Sequence, residues 1–154
     1  MDPTELRQQI GTLLASQRLA VLATSADGHP YTTLVGFAAS ADGRELYFVT
    51  HRATRKFANL SGDHRVSLLI DNRSNRAEDF RRAAALTAFG SARELPAPQR
   101  AAALELFLAK HPQLQEFVLA PGSALCRVAV QRYSLVQRFQ EVVEWILDDP
   151  DPRP

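Results

Sequence analysis

The sequence predicts a mainly β protein with helices, an α+β chain whose strands run antiparallel and close into a small barrel. Three observations point there. Short apolar runs with two-residue alternation recur along the chain. Asp-Gly turns separate them twice, at Asp27-Gly28 and Asp42-Gly43, and that dipeptide between apolar runs is a favoured hairpin signal. No strand leads into the glycine-rich helix start of a nucleotide-binding α/β unit. Strands this numerous on 154 residues avoid open edges most simply by closing on themselves.

The first element is a helix. Asp2 is placed to cap free N–H groups, Pro3 suits the first helical position, and Glu5 stands three residues after the cap. Leu6, Ile10, Leu13 and Leu14 follow at helical spacing, and the helix is expected to end near Ser16 to Arg18. Strands are predicted over Leu19–Thr24, Tyr31–Ala38 and Glu45–Thr50 as an antiparallel meander. In the third, Leu46 and Phe48 oppose Tyr47 and Val49, which predicts that both faces are covered. A short helix is expected over Thr54–Leu60, with Thr54 as its cap and Gly62 closing it.

Arg65–Asp71 reads as a fourth strand and Asn72–Arg82 as a polar loop carrying Arg73, Arg76, Arg81 and Arg82. Ala83–Glu94 reads as a strand, because its Thr87–Arg93 half outweighs the helical preference of alanine. Pro96–His111 is predicted to be a helix with Ala101, Leu104 and Leu108 on its stripe. Pro112 breaks it, and Leu114, Phe117 and Val118 suggest one more helical turn. Ala124–Tyr133 alternates with Cys126, Val128 and Val130 facing inward as inert packing. Ser134–Gln140 continues as a further strand or as the second half of a bent one. Val142, Val143, Trp145 and Ile146 form an apolar cluster assigned to core or dimer packing. Residues 148–154 are expected to be a disordered tail, leaving one domain over residues 1–147.

Composition narrows the function classes. Apolar residues make up 45% and charged residues 23%, and 18 Lys+Arg against 17 Asp+Glu give a net charge of +1. That balance offers no electrostatic reason to expect nucleic acid or a membrane as partner. The one cysteine cannot form an internal disulfide or a multi-thiolate metal site, and His29, His51, His64 and His111 lack metal-ligand spacing. The acidic start is unlike a signal peptide and no apolar run is long enough to span a bilayer, so a cytoplasmic location is expected.

The chemistry-bearing segment is Val49-Thr50-His51-Arg52-Ala53-Thr54-Arg55-Lys56. A strand ends and a helix begins there, and a helix N-terminus exposes unpaired N–H groups and positive dipole. Thr50 and Thr54 add hydroxyls, while Arg55 and Lys56 add cations, so the segment suits a phosphate monoester dianion. Spacing alone also fits a solvated basic helix face, the commoner outcome for such a run.

From Leu13 to Arg93 the order of strands and turns, with Thr50 followed by Thr54-Arg55-Lys56 and then Arg65-Val66-Ser67-Leu68, resembles the pyridoxamine 5'-phosphate oxidase-like FMN-binding family. The resemblance implies a split β-barrel, antiparallel, of six to eight strands with peripheral helices. It implies FMN as cofactor, with the phosphate held by Thr50, Arg55 and Lys56 and flanked by Val49, His51 and Thr54. Thr32, Thr33, Leu34 and Val35 would run along the isoalloxazine ring, and Gly36 would let the ring approach. It further implies a homodimer with two sites at the subunit interface and a small-molecule redox substrate. The chain departs from the oxidases at Ala85, where they carry an amide, and over Tyr133–Trp145, which lacks their Trp and Arg pattern, so vitamin B6 oxidation is not implied.

The expected function is an FMN-dependent oxidoreductase. No general acid or base is identified, and Tyr31, His51 and Tyr133 are only candidate proton donors near a ring. The alternatives are a haem-binding or haem-degrading protein, a deazaflavin-dependent reductase, or a non-catalytic flavin-binding module. For haem, His51 or His64 would be the ligand, and the arginines at 73, 76, 81 and 82 would pair with propionates.

Overall fold

In a computed structural model, residues 1–147 are described; the tail expected over 148–154 lies outside them. Helix α1 (Pro3–Ser16) begins as its cap predicts, with the Glu5 N–H donating to Asp2 Oδ1 at 3.0 Å. It buries Leu6, Ile10, Leu13 and Leu14. The meander follows as β1 (Leu19–Ala26), β2 (His29–Ala39) and β3 (Glu45–His51). Helix α2 (Arg55–Gly62) leads to β4 (Arg65–Asp71), and β5 spans Ala85–Glu94. The expected loop between those two strands contains a single helical turn, α3 (Asp79–Arg82). Its loop is braced by Asp79, whose carboxylate accepts the N–H groups of Ser74, Asn75 and Arg76.

Six antiparallel strands close into a barrel in the order β3-β2-β1-β4-β5-β6, with β6 (Ser123–Gln137) returning to pair with β3. A seventh strand, β7 (Glu141–Ile146), hangs on the second half of β6. The cluster expected around Trp145 is therefore an edge strand. Trp145 and Val143 pack on the core while Val142 and Ile146 remain 58% and 72% exposed. Trp145 stacks on Tyr133 with centroids 5.6 Å apart, and the buried Tyr133 hydroxyl donates to the Gly43 carbonyl at 2.7 Å.

The long β6 resolves the choice between two strands and one bent strand in favour of the second. Phe89 pairs with Arg132 but Gly90 pairs with Val130, so Gln131 is an extra residue opposite none, a β-bulge. Before it Cys126, Val128 and Val130 face the core; after it Tyr133 and Leu135 do. The bulge reverses the parity and bends the strand, letting one half close the barrel and the other carry β7. Cys126 is fully buried, and that burial pushes its thiol up to about 12.

Between β5 and β6 the chain leaves the barrel as α4 (Ala97–Lys110), a 3-10 turn (Pro112–Leu114) and α5 (Gln115–Leu119). The buried face of α4 is centred on Ala103 and Phe107 rather than on the predicted stripe, and Ala101 is exposed. This insertion covers Tyr47 and Val49 in a second core, which explains why β3 is buried on both faces.

At the end of α4, Lys110 Nζ donates to the Leu14 carbonyl at 2.9 Å and lies 3.9 Å from the Phe37 ring centroid. Burial lowers its pKa from 10.5 to about 8. Between those values the unfolded chain holds more protons than the folded one, so this group's contribution to stability rises with pH across that window and is smallest below 8. Urea midpoints of the native protein and Lys110→Met are therefore expected to diverge in favour of the native chain as pH goes from 7 to 10. Tyr47 and Tyr133, whose hydroxyls burial pushes upward, act equally in both chains. A pH-independent difference would contradict the assignment.

Candidate functional site

The barrel is split where β2 parts from β3. Their pairing runs only over Phe37–Ala39 against Leu46–Phe48, although β2 begins at His29 and β3 ends at His51. Among the described residues, His29–Gly36 of β2 therefore pair on one side only, with β1. The gap is a groove of about 600 Å³. Leu34, Val35 and Gly36 supply one wall, Val49, Thr50 and His51 another, and Thr54 and Lys56 the end nearest α2. No Asp or Glu lines it, whereas Arg18 and Lys56 do.

The end formed by α2 is built by hydroxyls. Thr54 caps the helix, its Oγ1 accepting the Phe57 N–H at 3.3 Å and donating to the His51 carbonyl at 2.8 Å. The buried Thr50 Oγ1 lies 2.9 Å from Thr54 Oγ1. The cap satisfies Phe57, and the Ala58 N–H donates to the Thr54 carbonyl. The N–H groups of Arg55 and Lys56 are too near the helix start for an intrahelical partner, and Lys56 lines the groove at that end. One turn on, Asn59 Nδ2 donates to Thr24 Oγ1 at 3.1 Å in the barrel interior, anchoring α2 to β1.

The loop entering α2 is fixed from outside. The Arg52 side chain donates from Nε to Glu94 at 3.1 Å and from its terminus to the Pro121 carbonyl at 2.9 Å, while its N–H donates to the Gly122 carbonyl. His51 Nδ1 accepts the Ala53 N–H at 3.2 Å, and its ring lies against Gly122, where a Cβ would collide with Nε2. Arg52 thus spends its charge on architecture.

Leu34, Val35, Val49, Thr50, His51, Thr54 and Lys56 come together on the groove. Three other predicted residues do not line it. Thr32 is exposed on β2. Thr33 is half-buried, and its buried Oγ1 has no hydrogen-bond partner. Arg55 holds its guanidinium 5.6 Å from the Tyr31 ring centroid, beside rather than within the groove.

Sequence reasoning missed Arg18 and Leu19, which enter from the start of β1, and the wall given by the insertion. There His111, Gln113, Leu114 and Phe117 line the groove. His111 is 2% exposed, and its Nε2 lies 2.7 Å from the Phe37 carbonyl. Because that carbonyl only accepts, Nε2 carries the proton.

The profile of the pyridoxamine 5'-phosphate oxidase family matches residues 6–137. The chain belongs to that family. No curated protein matches the sequence. Among solved structures, this family member is similar to a heme binding protein from Mycobacterium smegmatis, with a TM-score of 0.83 at 20% identity, covering 95% of this chain and 59% of that one. It is similar to a FAD-binding protein from Mesorhizobium loti, with a TM-score of 0.64 at 23% identity over 83% of this chain and 90% of that one. The General Stress Protein 26 from Bacillus anthracis gives 0.67 at 18% identity, with coverage of 92% and 99%. The chain thus spans about three fifths of the first of these and nearly all of the others. At these identities the likeness carries the fold. No helix among the described residues is long and apolar enough to cross a membrane, and no group of side chains there is arranged to hold a metal.

Proposed function

We propose that the protein binds FMN non-covalently in the groove and acts as an FMN-dependent oxidoreductase, as a homodimer, on a small-molecule redox substrate. One observation carries this reading: the groove joins an anion-ready helix start to a stretch of strand edge left without a neighbour. Thr50, Thr54, the free N–H groups of α2 and Lys56 suit a phosphate dianion. The β2 edge over Leu34–Gly36 offers backbone donors and acceptors in a row, as the rim of a flat heterocycle requires. FMN, when bound, supplies the hydride and electron chemistry. The chain's own residues hold the phosphate, orient the ring, and exclude water with Leu34, Leu114 and Phe117.

The dimer reading is supported by the outer face of the sheet. Leu34, Val21 and Leu69 are neighbours across β2, β1 and β4, and Leu34 and Leu19 are 63% and 54% exposed beside the groove. The haem alternative is weaker on the same grounds. His51 lines the groove, but its Nδ1 accepts the Ala53 N–H and its Nε2 lies against Gly122. His64 lies off the groove and shares a 3.1 Å contact with Arg93, and the arginines of 73–82 do not line it either.

The test is the absorbance spectrum of the purified protein, followed by FMN titration of the stripped chain. A flavin spectrum that saturates at one FMN per chain is expected. A colourless protein that stays so with FMN present would end this reading, and a Soret band on haem addition would replace it. Turnover of nicotinamide nucleotides above that of free FMN separates an enzyme from a flavin-storing module.

A further inference from the structure

The insertion brings a buried histidine to the groove, and three contacts fix its ring. The His111 N–H donates to the Phe107 carbonyl at 2.9 Å, closing the end of α4. The imidazole tilts against the Phe107 ring with centroids 4.8 Å apart, and Nε2 donates to the Phe37 carbonyl at 2.7 Å. With the proton held on Nε2, Nδ1 of the neutral ring is a bare acceptor. It makes no hydrogen bond among the described residues. Nor is it one of the polar atoms there that are sealed from solvent without a partner, which are Thr33 Oγ1, His64 Nδ1 and Gln137 Nε2. The side chain is 2% exposed and lines the groove, so this acceptor is left for whatever fills it.

Its place in the fork decides which part of a ligand it meets. Strands β2 and β3 rejoin at Phe37 and Phe48, and a Cβ on Gly36 would lie 3.7 Å from His111 Cε1. The imidazole therefore stands at the closed end. Thr54 and Lys56 follow the last residue of β3 and stand at the open end. A phosphate held there leaves the other end of the ligand to His111. Gly36 adds a donor beside it. The Phe37 N–H turns to the Arg18 carbonyl, on the β1 side, and successive residues of a strand turn their polar groups opposite ways. The Gly36 N–H and carbonyl accordingly face the groove.

The oxidised isoalloxazine ring carries a single N–H, on the imide nitrogen N3, and its other polar atoms only accept. A bare acceptor at the ring end has one match on it. We propose that His111 is a positioning residue for the flavin, its Nδ1 accepting the N3–H while the Gly36 N–H serves the adjoining carbonyl. This assignment rests on the flavin reading and adds to it a side chain that reads the ring rather than the phosphate.

The probes are FMN and its N3-methyl derivative, titrated by flavin fluorescence quenching. On the native chain the methylated flavin should bind at least about tenfold more weakly, because it lacks the donor. His111→Phe, which keeps a ring against Phe107, should bind FMN about tenfold more weakly and hold the two flavins within about threefold of each other. His111→Gln keeps a donor for the Phe37 carbonyl and an acceptor, and should restore the preference for FMN. In both variants the ratio of FMN to riboflavin affinity should stay native, since the phosphate lies at the other end. Equal native affinity for FMN and its methyl derivative, or a preference that survives His111→Phe, would overturn the inference while the flavin reading stood. The native comparison needs no variant and decides even where His111→Phe fails to fold. A Soret band on haem addition that His111→Phe abolishes would assign Nδ1 to iron instead. A native chain that binds neither flavin would end both readings.

Discussion

Replacing Arg55 and Lys56 together by alanine is expected to weaken FMN binding about a hundredfold while changing riboflavin binding by no more than about threefold. The two ligands differ only in the phosphate, so the ratio isolates that end. Lys56 lines the groove beside Thr50 and Thr54 and should carry most of the loss. Arg55 sits at the first helical position over Tyr31 and would contribute only by turning from that ring toward the dianion. Alanine suits both helical positions, and neither side chain holds the fold, so the melting temperature should be close to that of the native chain. Titration by flavin fluorescence quenching checks the ratio. Equal losses for both flavins would mean that the cations do not touch the phosphate.

Gly90→Ala is expected to cost about 3 kcal/mol of stability and lower the melting temperature by on the order of 10 °C. Gly90 stands opposite Val130 at the bulge of β6, where an added Cβ would collide with the Ala129 carbonyl oxygen and press the Val128 side chain. A backbone oxygen inside a barrel ladder cannot swing aside as a side chain would. Gly62→Ala at the end of α2, where a Cβ meets nothing within 4 Å, is the control and should leave the melting temperature within about 2 °C. A Gly90→Ala protein that melts with the native chain would show that β5 and β6 yield there.

Much of this was legible locally. The Asp2 and Thr54 caps, both Asp-Gly turns and the two-sided burial of β3 follow from spacing that short-range chemistry enforces. The slip in β6 is also visible in the sequence, since the inward residues change from even to odd positions after Val130. The pattern alone does not say whether a turn or a single extra residue causes it. Strand β7 was obscured because Val142 and Val143 are adjacent and its outer residues are apolar. The groove's insertion wall had no local signal: His111 and Leu114 come against Gly36, and Phe117 onto the groove, only through the packing of Ala103 and Phe107 with Tyr47 and Val49 of β3. The pairing of Arg55 with Tyr31 was not legible either, because the two meet in space across two elements.

The one-sided stretch of β2 has a cost for any chain that has just folded. Pro30 lacks an N–H and blunts the start of that edge, but the residues from Tyr31 to Gly36 remain a short template onto which a foreign strand could add. On the proposed FMN reading, a flavin seated in the gap would cover that edge, so the same ligand would guard the chain against aggregation.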